Sequence, residues 1–82
     1  MATTYILYSQ TLDHYYVGST ALDMETRLNK HLTEHRGYTA KSKDWRIEFE
    51  RNFNTIEEAY AFERQIKKWK SRRAIENLIK GS

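Results

Sequence analysis

The chain contains no cysteine, no proline and only three glycines among its 82 residues. Without cysteine, it has neither disulfide bonds nor a cysteine-based zinc site to support its fold. Its apolar runs are much shorter than the ~20 residues that a membrane-spanning helix requires. Its first residues also lack the basic and apolar regions of a signal peptide. We therefore expect a single small domain over residues 1–82, located in the cytoplasm and away from membranes.

The charges are distributed unevenly along the chain. Residues 1–63 contain 7 Lys and Arg against 10 Asp and Glu, a balance of −3, whereas residues 64–82 contain 7 against 1, a balance of +6. A cationic segment of this kind suits a polyanionic partner. It is also what a solvated helix face tuned for solubility looks like, and charge alone does not choose between the two interpretations.

The apolar pattern predicts three strands. Two short runs, Tyr5–Tyr8 and Tyr15–Gly18, flank a polar stretch and indicate an antiparallel hairpin. A third strand is predicted where Trp45, Ile47 and Phe49 alternate with charged residues. Because side chains of a strand alternate between its faces, we expect these three residues to share one face.

Three helices are predicted as well. Apolar residues at a four-residue spacing indicate the first, over residues 22–34. Thr55 and Glu58 match a capping box at the start of the second helix. Ser71 is the expected N-cap of the third, which ends near Gly81. The order β-β-α-β-α-α predicts an α+β domain, with helices flanking a small three-stranded antiparallel sheet.

Glu63 lies where the second helix is expected to be apolar. On a helical wheel it is about 20° from Ile56 and about 40° from Ala59. An ionised carboxylate in such a stripe is unfavourable unless it is paired or bound to a metal ion. Glu63 could also extend from the edge of the stripe to water or pair with an arginine such as Arg27. Its position suggests metal binding or catalysis, with both structural alternatives open.

Two further pairs of residues combine chemistry with suggestive spacing. Arg27 and His31 are four residues apart, so they project from one side of the first predicted helix, where they could contact a phosphate or simply face solvent. Tyr5 and Tyr16 lie near each other if the hairpin forms, although tyrosines in strands usually serve packing. Gly18 indicates that another group closely approaches the backbone there.

Together these residues resemble the motifs of the GIY-YIG nuclease family over nearly the whole chain. The first family motif corresponds to residues 3–5 (TTY), where only the tyrosine is kept, and the second to residues 16–18 (YVG). Arg27 and His31 match the R-x-x-x-H positions of the family's first helix, and Glu63 matches its metal-binding glutamate. Each motif alone is degenerate, but their order and spacing are specific. The chain most resembles the compact, single-domain branch related to the nuclease module of the DNA-repair excinuclease ABC complex.

The resemblance implies an endonuclease that hydrolyses phosphodiester bonds with one divalent ion, Mg²⁺ or Mn²⁺. Glu63 would hold the ion, and Arg27 would stabilise negative charge in the transition state. Tyr5 would act as the general base, assisted by Tyr16 and His31. The implied catalytic positions are Tyr5, Tyr16, Arg27, His31, Glu63 and Asn77, the last because the family often carries an asparagine after the glutamate.

Nucleic acid, DNA rather than RNA, is the expected partner. Basic side chains of the C-terminal segment and of the loop over residues 35–44 are expected to bind its backbone. These residues are Lys67, Lys68, Lys70, Arg72, Arg73, Arg36, Lys41 and Lys43. Tyr38 could stack on unpaired bases, as could Trp69, although for Trp69 we expect a place in the core. No base-reading motif is present, so we expect little sequence specificity. The alternative is a non-catalytic nucleic-acid-binding module that keeps the nuclease fold.

Overall fold

The computed structural model of the protein describes residues 1–21, Thr26 and residues 42–81. Its elements are β1 (Ala2–Ser9), β2 (His14–Thr20), β3 (Arg46–Phe53), α1 (Ile56–Trp69) and α2 (Arg72–Lys80). The strands form one antiparallel sheet in the order β2-β1-β3, so β2 is an edge strand. The predicted α+β class is therefore confirmed. Thr26 is helical, but the rest of the helix predicted over residues 22–34 lies outside the described residues.

The hairpin of β1 and β2 determines which residues share a face of the sheet. Its register places Tyr5 opposite Gly18 and Leu7 opposite Tyr16. Directly opposed residues of an antiparallel pair project to the same side. Tyr5, Leu7 and Tyr16 accordingly belong to one apolar cluster, which also contains Trp45. We call this side of the sheet the tyrosine face.

The opposite side, which we call the helical face, packs against both helices. Ile6, Val17 and Phe49 form a buried cluster there with Ile66 of α1. Apolar residues of α2 pack around this cluster, as their predicted stripe requires. Ile66 is 1% exposed, so the middle of α1 is held by burial of apolar surface, the dominant favourable term in folding.

The start of α1 is fixed by a cap and by hydroxyl groups of the sheet. The Oγ1 atom of Thr55 accepts a hydrogen bond from the backbone N–H of Glu58 at 3.2 Å, which confirms the predicted N-cap. Thr4 and Ser19 both donate to the carbonyl oxygen of Ala59, at 2.7 Å and 3.1 Å. These bonds tie the first turn of α1 to β1 and β2.

The prediction that Trp45, Ile47 and Phe49 share one face is wrong for Phe49. A register irregularity in the pairing of β3 with β1 places Phe49 opposite Ile6 but Ile47 opposite Leu7. The extra residue of β3 at this bulge interrupts the alternation of its side chains. Trp45 and Ile47 therefore pack on the tyrosine face and Phe49 on the helical face.

No helix within the described ranges is long and apolar enough to cross a membrane.

Candidate active site

Tyr5 lies on the tyrosine face and is fully buried. Its ring extends across Gly18, because a Cβ atom at Gly18 would lie 2.5 Å from the Tyr5 hydroxyl oxygen and 2.7 Å from its Cζ. A side chain at Gly18 would collide with this ring, so the close approach to the backbone predicted from the sequence is confirmed. The hydroxyl of Tyr5 consequently lies beside the edge strand β2.

Tyr16 belongs to β2 itself and is half-buried. Its ring packs edge-on against Trp45, with the ring centroids 6.3 Å apart. Tyr16 and Tyr5 belong to the same apolar cluster, so their predicted proximity is confirmed. The fold thus places one tyrosine hydroxyl over the edge strand and the second tyrosine on that strand.

Glu63 lies at the margin of the buried stripe of α1, next to Ala59 and Ile66. Its side chain is 17% exposed, and its Oε2 atom accepts a hydrogen bond from Lys67 Nζ at 2.6 Å. This ion pair joins residues four apart on one helix, a spacing that is legible in the sequence. Arg27, the partner suggested from the sequence, lies outside the described residues.

The surroundings of Glu63 fit a divalent ion held by a single protein ligand. Among the described residues, no cluster of three or more His, Cys, Asp or Glu side chains could hold a metal ion. Mg²⁺ does not require such a cluster, since it keeps several waters and often takes only one or two carboxylates. The Glu63 carboxylate reaches solvent and already binds one cation, the Lys67 ammonium group. A metal ion would compete with this ammonium group for the carboxylate.

A pocket of about 370 Å³ lies between the edge strand β2 and the junction of α1 and α2. Tyr15, Tyr16 and Val17 line it from the strand, and Lys67 and Lys70 line it from the end of α1. The pocket brings Tyr16 together with the ion-pair partner of Glu63. The sequence did not predict it, because its walls come from three elements whose contact depends on the tertiary fold.

Arg72 binds acceptors within the chain. Its guanidinium group donates to Asp13 Oδ1 at 2.7 Å, to the Asp13 carbonyl at 3.1 Å and to Glu76 Oε2 at 3.3 Å. It also lies over the ring of Tyr15, 5.4 Å from its centroid. The hydrogen bond from Arg72, with a second from Tyr8, lowers the pKa of Asp13 to about 2. Arg72 therefore joins α2 to the hairpin, and these ion pairs would compete with any phosphate.

The other basic residues of the C-terminal segment reach solvent. Lys68, Lys70 and Arg73 are exposed, as is Lys43 before β3. Lys70 lies between the two helices with a left-handed backbone, φ 48° and ψ 36°. Lys67 is also exposed, although its ammonium group is paired with Glu63.

Two residues of the C-terminal half differ from the arrangement suggested by the sequence. Trp69 is 37% exposed, so the expectation that it is a core residue is wrong; it is the last residue of α1, whose buried stripe ends at Ile66. Asn77 is an exposed residue of α2, a different helix from that of Glu63. The remaining predicted positions, which lie outside the described residues, are Arg27, His31, Arg36, Tyr38 and Lys41.

Comparison with known proteins supports the motifs. The family model described as the GIY-YIG catalytic domain matches residues 1–77, which include every predicted catalytic position from Tyr5 to Asn77. No curated protein and no solved structure matches the chain significantly. The matched region contains the whole sheet, all of α1 and most of α2. With its sheet, its paired tyrosines and its helical glutamate, the chain belongs to the GIY-YIG catalytic domain family, a family of nucleases.

Proposed function

We propose that this chain is a metal-dependent endonuclease that hydrolyses phosphodiester bonds in DNA with little intrinsic sequence specificity. The observation that carries the proposal is the environment of Glu63. This carboxylate at the margin of a buried stripe reaches solvent, binds a cation, and is linked through Lys67 to a pocket that Tyr16 also lines. Membership in a nuclease family supports the reaction class.

Phosphodiester hydrolysis requires an activated water and stabilisation of negative charge on the phosphate. A divalent ion held by Glu63 would supply Lewis-acid stabilisation of that charge. Arg27 donates hydrogen bonds to a non-bridging oxygen and stabilises the transition state. Tyr5 accepts a proton from the attacking water, while Tyr16 and His31 position that water. A phenol has an ordinary pKa of about 10, so this role requires positive charge near Tyr5 in the substrate complex.

Binding of the DNA backbone falls to the exposed cations at the end of α1 and the start of α2. Lys68, Lys70 and Arg73 reach solvent there. Such contacts neutralise phosphates without reading bases. The absence of a base-reading motif from the sequence supports low sequence specificity.

The test compares cleavage and binding for the wild type, Glu63→Gln and Arg27→Ala. Single-stranded, duplex and flapped DNA and matching RNA would be incubated with Mg²⁺ or Mn²⁺. Glu63→Gln keeps the size of the side chain but removes its charge, so we expect cleavage to fall to background while oligonucleotide binding persists. Arg27→Ala should cost about 10²–10³ in rate, the usual effect of losing one contact to transition-state charge.

A matched control is Glu57→Gln, which neutralises an exposed carboxylate in the first turn of the same helix. It should cut like the wild type. Electron paramagnetic resonance of Mn²⁺ should show bound ion in the wild type and in the control but not in Glu63→Gln. Wild-type protein that binds nucleic acid but cuts none of these substrates would instead favour the non-catalytic binding module.

A further inference from the structure

The pocket beside β2 has an apolar interior and a cationic rim. Val17 and Ile66, 7% and 1% exposed, form its deep wall together with Ile75. Lys67 and Lys70 are exposed and form its rim. None of its described lining residues is an aspartate or glutamate. This combination suits a ligand with a flat apolar part and an anionic part.

An aromatic ring in the pocket is held in place by its neighbours. The Tyr15 hydroxyl donates to Glu76 Oε2 at 3.3 Å, and its ring packs against Tyr8 with centroids 4.8 Å apart. The Arg72 guanidinium lies over the same ring. A ring fixed in this way loses little freedom when a ligand packs against it. Aromatic side chains on a cationic groove are how proteins hold unpaired bases.

Lys70 adds an independent indication. Its backbone is left-handed at the end of α1, a position where glycine is the usual residue because it has no Cβ atom. A lysine in this conformation is sterically unfavourable. Residues held in such conformations cluster at functional sites. The charge that Lys70 contributes to the rim of the pocket is a reason for its presence.

We propose that this pocket binds one unpaired nucleotide of the substrate strand, with its base beside Tyr15 and its phosphate on Lys67 and Lys70. The inference rests on the proposed function, because Lys67 joins the pocket to Glu63 through a 2.6 Å contact. A volume of about 370 Å³ lies at the lower end of small-molecule sites, which span roughly 300–1,000 Å³. That volume suits a single nucleotide, whereas a base within a duplex is covered by its neighbours. Substrates with an unpaired position should therefore bind best.

The test follows binding by NMR in EDTA, where cleavage plays no part. Thymidine 5′-monophosphate, thymidine and inorganic phosphate would each be titrated into the full chain. We expect the monophosphate to bind more tightly than either part alone, with saturable shifts of the Tyr15, Lys67, Lys70 and Ile75 amides. Lys70→Gly should weaken its binding about tenfold, the effect of losing one charge-assisted contact. This substitution also suits the left-handed backbone, so the fold should persist.

Lys80→Ala is the matched control, since it removes the same charge at the far end of α2 and should leave the affinity unchanged. Inorganic phosphate that binds as tightly as the monophosphate would overturn the proposal in favour of a simple anion site. Shifts that spread over all surface lysines without saturating would also overturn it. Because no metal is present, these outcomes are independent of whether Glu63→Gln abolishes cleavage.

Discussion

The two faces of the sheet are built from the same strands but differ in chemistry. On the helical face, Ile6, Val17 and Phe49 meet Ile66 in a purely apolar cluster. Hydroxyl groups on that side donate to a helix carbonyl and serve only to attach α1. The tyrosine face instead buries the complete side chain of Tyr5, whose polar end lies over a glycine. Apolar burial attaches the helices on one side, while the other side positions phenol groups.

The two faces meet at the edge strand β2. Tyr5 reaches this strand across Gly18, and Tyr16 belongs to it. From the other side, α1 carries Glu63, whose partner Lys67 lines the same pocket as Tyr16. An edge strand can contribute residues from both of its faces to one pocket, which the middle strand of a sheet cannot. The comparison predicts that loss of a hydroxyl on the tyrosine face affects chemistry more than folding.

The largest expected effect tests the chemistry of the tyrosine face. Tyr5→Phe removes only a hydroxyl, so cleavage should fall by about 10²–10⁴, the usual contribution of a general base. The free energy of unfolding should fall by only about 1 kcal/mol, the typical net worth of a hydrogen bond. Tyr16→Phe should cost less activity because its role is assisting. Tyr60→Phe, at an exposed position on α1, is the control. If Tyr5→Phe cuts at the wild-type rate, the tyrosine face serves packing alone.

The second effect tests the fit between Tyr5 and the edge strand. A methyl group at Gly18 would overlap a buried ring, so Gly18→Ala should lower the free energy of unfolding by about 1–3 kcal/mol. Denaturant unfolding measures this change. Gly81→Ala is the matched control, because the nearest atom to a Cβ there is 3.5 Å away, an ordinary contact. Equal stabilities for the two variants would show that the ring of Tyr5 moves freely.

The third effect concerns the cations beside the helical face. Replacing Lys67, Lys68 and Lys70 together with glutamine should reduce the slope of log affinity for DNA against log salt by about 2–3, since each phosphate contact contributes about 0.7–0.9. Fluorescence anisotropy over a range of salt concentrations measures the slope. Lys80→Gln should change it little. A slope that the triple variant leaves intact would place the DNA-binding surface elsewhere on the molecule.

The smallest effect concerns the ion pair that joins α2 to the hairpin. The pKa of Asp13 is about 2 in the folded protein, chiefly because Arg72 donates to it, against about 3.9 when unfolded. A lowered pKa stabilises the fold at pH above the unfolded value, and this stabilisation is lost as the pH falls toward 2. The stability difference between the wild type and Asp13→Asn should therefore be constant above pH 5 and shrink between about pH 4 and 2. Urea unfolding at a series of pH values measures it.

Tyr8→Phe sharpens this last measurement. It removes the second hydrogen-bond donor to Asp13, so the acid loss should begin at a higher pH. The pair is exposed, and exposed ion pairs contribute little to stability, which makes this the smallest effect of the four. A difference that persists undiminished down to pH 2 would contradict the assignment of the lowered pKa to Asp13.

The sequence by itself determined the elements and the family motifs. Caps at Thr55 and Ser71 and the alternation within the hairpin depend on residues that are neighbours in the chain, so local patterns are sufficient to predict them. Gly18 could be interpreted in the same way, because a glycine within a strand indicates close packing. Glu63 was conspicuous for a similar reason, since it interrupts an apolar stripe of known period.

The tertiary structure decided what depends on pairing between distant segments. The bulge that places Phe49 on the helical face arises where β3 pairs with β1, and the alternation within β3 does not reveal it. Trp69 continues an apolar pattern but is exposed, because the contact of α1 with the sheet ends at Ile66. The pocket beside Tyr16 exists only because two helices meet the edge strand at one point. A chain's local pattern specifies its elements, but the surfaces between them appear only when those elements pack.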